Sequence, residues 1–303
     1  MGRIAFIFSG QGDQFPGMGK ALADQYPAAA AVFEQCDVIR PGTSAPCVCG
    51  TDEELKETKN TQPCLFAMEM AAAAVLLEAG IVPEAVAGFS LGEVAACTAA
   101  GIVDFGTGFR LVCKRGELMQ RAAEKQDTAM AALVKLTPDK VEELCGSFSE
   151  IYPVNYNCPG QITVAGLSSQ MPDFSAAVKA SGGRALPLKV KGAFHSPFMR
   201  EASEAFASEL SEISFLPGSA VLYSNVTAEP YTGNPANLLS SQICNPVRWE
   251  SLIRNMIASG VDTFIEIGPG KTLTNMVRKI DGTVKTFSVA ENLEELVEEV
   301  KTA

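Results

Sequence analysis

The chain has 303 residues, of which 47% are apolar and 19% are charged, and its 35 acidic and 24 basic residues give a net charge of −11. This length and composition predict a globular protein with a sizeable core, built as one large domain or as a domain with an insert, and they exclude a disordered chain. A chain this acidic has no general affinity for nucleic acid.

The sequence offers neither a membrane segment nor a metal centre. No apolar run reaches the ~20 residues of a membrane span, and the start of the chain lacks the long apolar core of a secretory signal. The nine cysteines are scattered without a Cys-x-x-Cys pair, and the single histidine supplies a zinc site poorly. We therefore expect a cytoplasmic protein with reduced, mostly buried cysteines and no metal.

Three short apolar runs have the pattern of buried strands, at Ile4–Phe8, Ala85–Phe89 and Thr263–Ile267. Each is followed by glycine and then by a helical stretch, which is typical of an α/β fold with a mostly parallel sheet. In such a sheet the active site collects at the carboxyl ends of the strands, where these glycine-rich turns lie.

The middle of the chain has a different order, β-α-β-β-α-β, which is that of a ferredoxin-like subdomain. Its predicted elements are the strands Ala129–Leu136, Tyr152–Asn155, Gln161–Ala165 and Arg184–Val190 and the helices Pro138–Cys145 and Met171–Ala180. We therefore predict a subdomain over residues 127–192, inserted into a discontinuous large domain of residues 1–126 and 193–303.

Two glycine-rich turns resemble nucleotide-binding motifs but fail to match them. Gly10–Phe15 has phenylalanine where a dinucleotide fingerprint needs its third glycine, and Gly268–Thr272 lacks the first glycine of a P-loop. Neither turn therefore predicts a nucleotide cofactor.

Gly88-Phe89-Ser90-Leu91-Gly92 is a Gly-x-Ser-x-Gly pentapeptide between a predicted strand and an alanine-rich predicted helix. Strand, tight turn and helix form the context of a nucleophile elbow, which exposes a serine hydroxyl and aims the first helical amides at a developing oxyanion. The alternative is an ordinary serine that caps the helix. The context favours the nucleophile.

A serine hydroxyl needs a neighbouring base, and His195 is the only histidine of the chain. It lies immediately after the last predicted strand of the insert, where a loop can form the rim of a cleft. In an ordinary α/β-hydrolase, an acid would lie between the serine and the histidine in the chain. None of the available acids follows a convincing strand of the main sheet, so we expect a dyad; these acids are Asp104, Asp127, Asp139 and Asp173.

Arg115 lies on the apolar face of a predicted helix over Phe109–Met119, with apolar residues at the four flanking positions of that face. A buried guanidinium needs an anionic partner. That partner is either a protein carboxylate, such as Glu69, Glu93 or Glu117, or a carboxylate of the substrate. The spacing leaves both interpretations open.

These residues lie in segments that resemble the malonyl-CoA:acyl carrier protein transacylases and the related acyltransferase domains of polyketide and fatty-acid synthases. The resemblance runs nearly from end to end. Besides Arg115, it is carried by Phe8-Ser9-Gly10-Gln11-Gly12, Gly88-Phe89-Ser90-Leu91-Gly92-Glu93, Asn157-Cys158-Pro159-Gly160-Gln161, Gly192-Ala193-Phe194-His195-Ser196, Asn245-Pro246-Val247-Arg248-Trp249 and Gly268-Pro269-Gly270-Lys271.

The resemblance implies an α/β-hydrolase-like large domain with the ferredoxin-like insert, and it implies a role for each catalytic group. Ser90 would carry the acyl ester and His195 would be its base. The backbone carbonyl of Gln242 would orient the imidazole in place of a carboxylate. The backbone amides of Gln11 and Leu91 would form the oxyanion hole.

The resemblance also bears on the acyl group. Arg115 would pair with the free carboxylate of a malonyl group, and the bulky Phe194 would leave little room for an α-methyl, as in malonyl-selective members. One departure is Phe89, where many members carry histidine. That residue flanks the elbow and is not expected to take part in the chemistry.

The activity implied is that of an [acyl-carrier-protein] S-malonyltransferase that supplies fatty-acid synthesis, working by a ping-pong mechanism on malonyl-CoA, with CoA as product and no tightly bound cofactor. The expected partner is acyl carrier protein, with no nucleic acid and no membrane, and the expected state is a monomer. The alternatives are an acyltransferase of a polyketide pathway, a thioester or ester hydrolase on the same scaffold, and a non-catalytic docking module. Because carrier protein is acidic, we expect a basic patch near the cleft, with Arg184, Lys189 and Lys191 as candidates.

Overall fold

The computed structural model describes residues 2–302. Its strands are β1 Arg3–Phe8, β2 Ala85–Gly88, β3 Thr128–Val134, β4 Ile151–Cys158, β5 Gln161–Leu167, β6 Arg184–Pro187, β7 Val221–Leu222, β8 Val261–Ile267 and β9 Lys285–Ser288. Its helices are α1 Lys20–Gln25, α2 Pro27–Ile39, α3 Ser44–Cys49, α4 Asp52–Lys56, α5 Thr58–Glu78, α6 Gly92–Ala99, α7 Phe105–Ala123, α8 Pro138–Gly146, α9 Met171–Ala180, α10 Arg200–Ser211, α11 Ala236–Ser241, α12 Trp249–Ala258, α13 Thr272–Ile280 and α14 Leu293–Thr302. Two short 3-10 helices lie at Pro197–Met199 and Gln242–Cys244.

The larger sheet has five strands in the order β7-β2-β1-β8-β9, and every neighbouring pair is parallel. In the register of its central strands, Phe6 lies opposite Val86 on one side and Ile265 on the other. These three side chains are fully buried. Helices cover both faces of such a sheet, so its strands read as continuous apolar runs. The predicted α/β class is confirmed.

The long helix α5 packs against α7 beside this sheet. Most of α5 is buried, including the run Ala71–Ala73. The two helices lie close together at Gly116, where an added Cβ would be 3.0 Å from the carbonyl oxygen of Thr58. Because small residues let the backbones approach, Arg115 of α7 reaches Gln62 of α5.

The smaller sheet is antiparallel, with the strand order β4-β5-β3-β6. Leu133, Val164 and Phe174 form part of its own core with α8 and α9. The order β-α-β-β-α-β is as predicted. The last strand ends at Pro187 and is shorter than predicted, although one further backbone hydrogen bond joins the Leu188 amide to the Met130 carbonyl at 2.9 Å. Residues 188–192 therefore form an irregular link back to the large sheet.

All four strands of the smaller sheet lie within residues 127–192, and the division of the chain at these limits stays a proposal. The two parts are joined by backbone hydrogen bonds, from the Tyr156 amide to the Val247 carbonyl and from the Val247 amide to the Val154 carbonyl, each 2.9 Å long.

Over residues 2–302, no helix combines the length and the hydropathy that a bilayer crossing requires.

Candidate active site

Ser90 lies in the tight turn between β2 and α6, with a left-handed backbone conformation at φ 56°. The turn needs glycine on both sides. A Cβ on Gly88 would lie 1.8 Å from the carbonyl carbon of Gly92, and one on Gly92 would lie 2.4 Å from the carbonyl oxygen of Phe8. Leu91, not Ser90, occupies the N-cap position of α6, and no side chain caps this helix. The geometry is that of a strained elbow that presents a hydroxyl.

Asn225 holds this turn from a distant part of the chain. Its Oδ1 accepts a hydrogen bond from the Ser90 amide at 2.8 Å, and its Nδ2 donates to the Gly88 carbonyl at 2.7 Å. Asn225 is fully buried. Sequence reasoning did not identify this residue, because no local pattern connects it with the elbow.

The hydroxyl of Ser90 and the imidazole of His195 are in contact. Ser90 Oγ lies 2.7 Å from His195 Nε2, and His195 Nδ1 lies 2.8 Å from the carbonyl oxygen of Gln242. A carbonyl can only accept, so Nδ1 carries the proton and Nε2 is left free to accept the proton of the serine. The structure thus brings together the three groups that the sequence and the resemblance pointed to.

The four acids that lie between Ser90 and His195 in the chain are engaged elsewhere or lie apart from the imidazole. Asp104 caps α7 by accepting from the Thr107 amide at 3.0 Å, and Asp127 accepts from the Ser168 hydroxyl at 2.8 Å. Asp139 and Asp173 lie in the first turns of α8 and α9. The arrangement is therefore a dyad oriented by a carbonyl.

His195 is buried, and its pKa is lowered to about 4, first by burial and then by the nearby charge of Arg115. The hydrogen bond to the Gln242 carbonyl acts in the opposite direction. Because the ordinary pKa of histidine is 6.5, the imidazole is neutral at pH 7 and able to accept a proton.

Arg115 lies beside the dyad, 1% exposed. Its Nη1 donates to Gln62 Oε1 at 2.9 Å, and its Nη2 donates to Gln242 Oε1 at 2.6 Å and to Ser90 Oγ at 3.2 Å. Its Nε has no hydrogen-bond partner among the described residues. Burial lowers the pKa of this guanidinium to about 10, and Glu93 opposes that shift. A buried cation held by neutral acceptors next to Ser90 is suited to bind an anion.

The three carboxylates considered as partners of Arg115 are exposed or make other contacts. Glu117 is exposed, and Glu69 accepts from Ser9 Oγ at 3.0 Å. Glu93 is closest in the network, but its carboxylate accepts from the Gln242 side chain at 2.5 Å, so Gln242 stands between the two charges. The structural ion pair that the spacing left open is not formed by any of the three.

A small cavity of about 80 Å³ lies over the dyad, lined by Gln11, Leu91, Phe194 and the dyad itself. The backbone amides of Gln11 and Leu91 make no hydrogen bond within residues 2–302. They are therefore available to an incoming oxygen atom. Phe194 closes one wall and is 6% exposed.

This cavity adjoins a larger one of about 270 Å³ between the two sheets, and Gln11, Phe89, Asn155 and Leu188 line both. The ring of Phe89 packs edge-on against Trp249, with ring centroids 5.4 Å apart. The two cavities lie side by side along the junction of the two parts of the chain, and Ser90 lines the smaller one.

Below the first glycine-rich turn, Ser9 and Glu69 form a buried pair. An added Cβ on Gly268 would lie 2.0 Å from Ser9 Oγ, so the second glycine-rich turn packs directly on the first. Glu69 is fully buried, its Oε2 has no partner among residues 2–302, and burial raises its pKa well above 4.5. Both turns that failed as nucleotide motifs thus shape the floor of the candidate site.

Arg184, Lys189 and Lys191 are all exposed, and they flank or belong to the irregular link 188–192. Leu188 and Val190, which alternate with the two lysines, line the cavity over Ser90. One segment therefore presents positive charge to solvent and apolar side chains to the site.

Comparison with known proteins agrees with this geometry. The family described as "Acyl transferase domain" matches residues 5–301. The malonyl CoA-acyl carrier protein transacylase of Bacillus subtilis (strain 168) is 38% identical over 299 residues, covering 96% of this chain and 94% of the relative. The enzyme of that name from Escherichia coli (strain K12) is 36% identical, covering 96% of this chain and 97% of the relative.

Solved structures of similar proteins have the same fold. The malonyl CoA-acyl carrier protein transacylase of Clostridium perfringens has a TM-score of 0.95 and 34% identity, covering 99% of this chain and 98% of that one. A malonyl-transacylase in complex with its type II PKS acyl-carrier protein has a TM-score of 0.94 and 33% identity, covering 98% and 99%. The chain therefore belongs to the acyl transferase family.

Proposed function

We propose that this protein transfers a malonyl group from malonyl-CoA to the phosphopantetheine thiol of an acyl carrier protein, through an ester on Ser90. The observation that carries the proposal is the position of Arg115, whose Nη2 lies 3.2 Å from Ser90 Oγ. A malonyl group has its free carboxylate two bonds from the reacting carbonyl carbon. A buried cation beside the nucleophile is therefore suited to a malonyl group and has no partner in an acetyl group.

In the first half-reaction, Ser90 Oγ attacks the thioester carbonyl of malonyl-CoA while His195 Nε2 takes the hydroxyl proton. The Gln242 carbonyl, 2.8 Å from Nδ1, stabilises the imidazolium. The negative oxygen of the tetrahedral intermediate accepts hydrogen bonds from the Gln11 and Leu91 amides. The carbon–sulfur bond then breaks, and the CoA thiolate takes the proton from His195 and leaves as the thiol.

In the second half-reaction, the carrier's phosphopantetheine thiol gives its proton to His195, and its sulfur attacks the malonyl-Ser90 carbonyl. The ester bond breaks, Ser90 recovers its proton from His195, and malonyl-carrier leaves as the product. The same base and the same oxyanion hole serve both halves, as a ping-pong mechanism requires. The small, largely apolar cavity limits the access of water to the ester.

We further propose that the carrier protein docks beside the irregular link 188–192. Arg184, Lys189 and Lys191 are exposed there. Their charge complements an acidic partner and would raise its rate of association. We also propose that the enzyme is cytoplasmic and monomeric, with malonyl-CoA as its substrate and no tightly bound cofactor.

Two acceptors are compatible with this chemistry, a carrier of fatty-acid synthesis and a carrier of a polyketide pathway. The relatives named above favour the general malonyl transfer, and the malonyl-transacylase that was solved with its type II PKS carrier favours the second acceptor. The two differ in the carrier surface and not in the chemistry at Ser90.

The test of this function is release of CoA from malonyl-CoA, measured with holo carrier protein, with apo carrier protein and with no carrier. We expect multiple turnovers and malonyl-carrier product with the holo carrier only. Multiple turnovers without any carrier would identify a thioester hydrolase instead. Charge-reversal variants Lys189→Glu and Lys191→Glu should raise the KM for the carrier and leave the first half-reaction unchanged.

A further inference from the structure

Glu93 is a fully buried carboxylate three residues after Ser90 that takes no part in the mechanism above. Three groups face it. Its Oε1 accepts from the Asn225 amide at 3.0 Å and from the Tyr231 hydroxyl at 2.6 Å, and its Oε2 accepts from Gln242 Nε2 at 2.5 Å. Three hydrogen bonds to one buried side chain, at the edge of a catalytic site, exceed what capping a helix requires.

The side-chain amide of Gln242 is held in one orientation by its neighbours. The guanidinium of Arg115 can only donate, so it must face Gln242 Oε1, which lies 2.6 Å from Nη2. The carboxylate of Glu93 accepts, so Gln242 Nε2 must face it, and the same Nε2 also donates to the Ser90 carbonyl at 2.6 Å. Glu93 and the Ser90 carbonyl together therefore determine which end of the amide is presented to Arg115.

This chain of contacts orients the guanidinium without neutralising it. Both side-chain amides that hold Arg115, those of Gln62 and Gln242, are neutral acceptors. A carboxylate placed directly on Arg115 would occupy the donors that a substrate carboxylate needs. Because the Gln242 side chain lies between Glu93 and Arg115, the guanidinium is oriented and is still free to bind an anion.

We infer that Glu93 is a positioning residue for acyl selection: through the Gln242 amide it fixes Arg115 beside Ser90 for a carboxylated acyl group. This inference rests on the proposed function. It adds a residue that touches neither the substrate nor the reacting atoms, and it assigns a task to the side chain of Gln242 that is separate from that of its backbone carbonyl.

The substitution Glu93→Gln tests this directly. The new amide at position 93 has two possible orientations. In one, its NH2 group faces the Asn225 amide, so two hydrogen-bond donors face each other. In the other, its NH2 group faces Gln242 Nε2, and the Gln242 side chain must then flip and turn its own NH2 group toward the donors of Arg115; in both cases two buried donors are left facing each other. We expect kcat/KM for malonyl-Ser90 formation from malonyl-CoA to fall about tenfold or more, mainly through KM, with acetyl-CoA changed far less.

Cys97→Ala is the matched control, because Cys97 is buried on the same helix one turn beyond Glu93. It should lower stability and leave the ratio of malonyl to acetyl reactivity unchanged. A second variant, Gln242→Met, breaks the same link from the other end and keeps the backbone carbonyl that contacts His195. It should reproduce the selective loss of malonyl reactivity, so the test stands if Glu93→Gln does not fold.

The outcomes separate this inference from the proposed function. If the unmodified protein is malonylated and both variants lose malonyl and acetyl reactivity equally, Glu93 supports only the fold and the inference is wrong. Unchanged malonyl selectivity in both variants also overturns it. If the unmodified protein forms no malonyl adduct, the proposed function fails and takes the inference with it.

Discussion

The imidazole of His195 is oriented by the backbone carbonyl of Gln242, 2.8 Å from Nδ1, and by no carboxylate. A backbone carbonyl holds the same tautomer that an aspartate would hold, but it brings no negative charge to the base. Burial of the ring disfavours the imidazolium first, and the nearby cation of Arg115 adds to that effect. The imidazole is therefore neutral over an unusually wide range of pH, and its pKa depends on what binds to Arg115.

The first prediction concerns the pH dependence of the first half-reaction. The pKa of His195 is lowered to about 4, so the base stays neutral as the pH falls and loses its function only when the pH approaches that value. We expect kcat/KM for CoA release to show no histidine limb near pH 6.5. In Arg115→Ala, with the repelling charge removed, the limb should move to higher pH. A limb near 6.5 in the unmodified protein would contradict this account.

The second prediction concerns the selectivity that Arg115 confers. Removing the guanidinium leaves a substrate carboxylate without its partner, so Arg115→Ala should lower kcat/KM for malonyl-CoA about 100-fold. Acetyl-CoA has no carboxylate that could contact Arg115, so kcat/KM for acetyl-CoA should be nearly the same in the variant and the unmodified protein. An equal loss for the two substrates, measured as CoA release in single turnovers, would assign Arg115 a structural role only.

The third prediction concerns the clamp that Asn225 forms on the elbow. Asn225→Ala leaves the Ser90 amide and the Gly88 carbonyl without their partners, and leaving buried groups unsatisfied costs about 1–3 kcal/mol each. Urea denaturation should show that loss, and both acyl donors should react more slowly by a similar factor. The control is the exposed Asn275 on α13, where alanine should change stability by less than about 0.5 kcal/mol. Equal effects of the two substitutions would refute the clamp.

The fourth prediction concerns Glu69 and the stability of the fold. Burial raises the pKa of this carboxyl well above 4.5, so the folded state keeps it protonated, whereas the unfolded chain releases the proton above about pH 4.5. Its contribution to stability is thus present at low pH and is lost as the pH rises through the folded pKa. Because glutamine cannot ionise, the stability of Glu69→Gln relative to the unmodified protein should increase between pH 5 and pH 8. Parallel stability curves would rule out a protonated Glu69.

The sequence alone could predict the candidate groups whose identity is local or unique. Ser90 lies in a pentapeptide between a strand and a helix, and the two glycines of that pentapeptide are required because a Cβ at either position would clash with the backbone. His195 could be named as the candidate base because it is the only histidine of the chain. Arg115 was predicted to be buried from its helical neighbours, but its partners were open, because contacts between α5, α7 and the segment around Gln242 depend on how those elements pack.

The network around Glu93 was out of reach for the same reason. Glu93, Asn225 and Gln242 are far apart in the chain and meet only in the fold, so no spacing reveals that they share hydrogen bonds. The predicted strand over Arg184–Val190 was too long, because its alternation of apolar and polar residues continues to Val190 whereas the register with β3 ends at Pro187.

The central claim is that Ser90 carries the acyl group, and intact-protein mass measurement after brief exposure to malonyl-CoA tests it most directly. We expect one malonyl adduct, located on the peptide that contains Ser90 and removed by subsequent addition of holo carrier protein. It should be absent in Ser90→Ala and form at least about 100-fold more slowly in His195→Ala. A malonyl adduct of equal yield in Ser90→Ala, or none in the unmodified protein, would contradict the account.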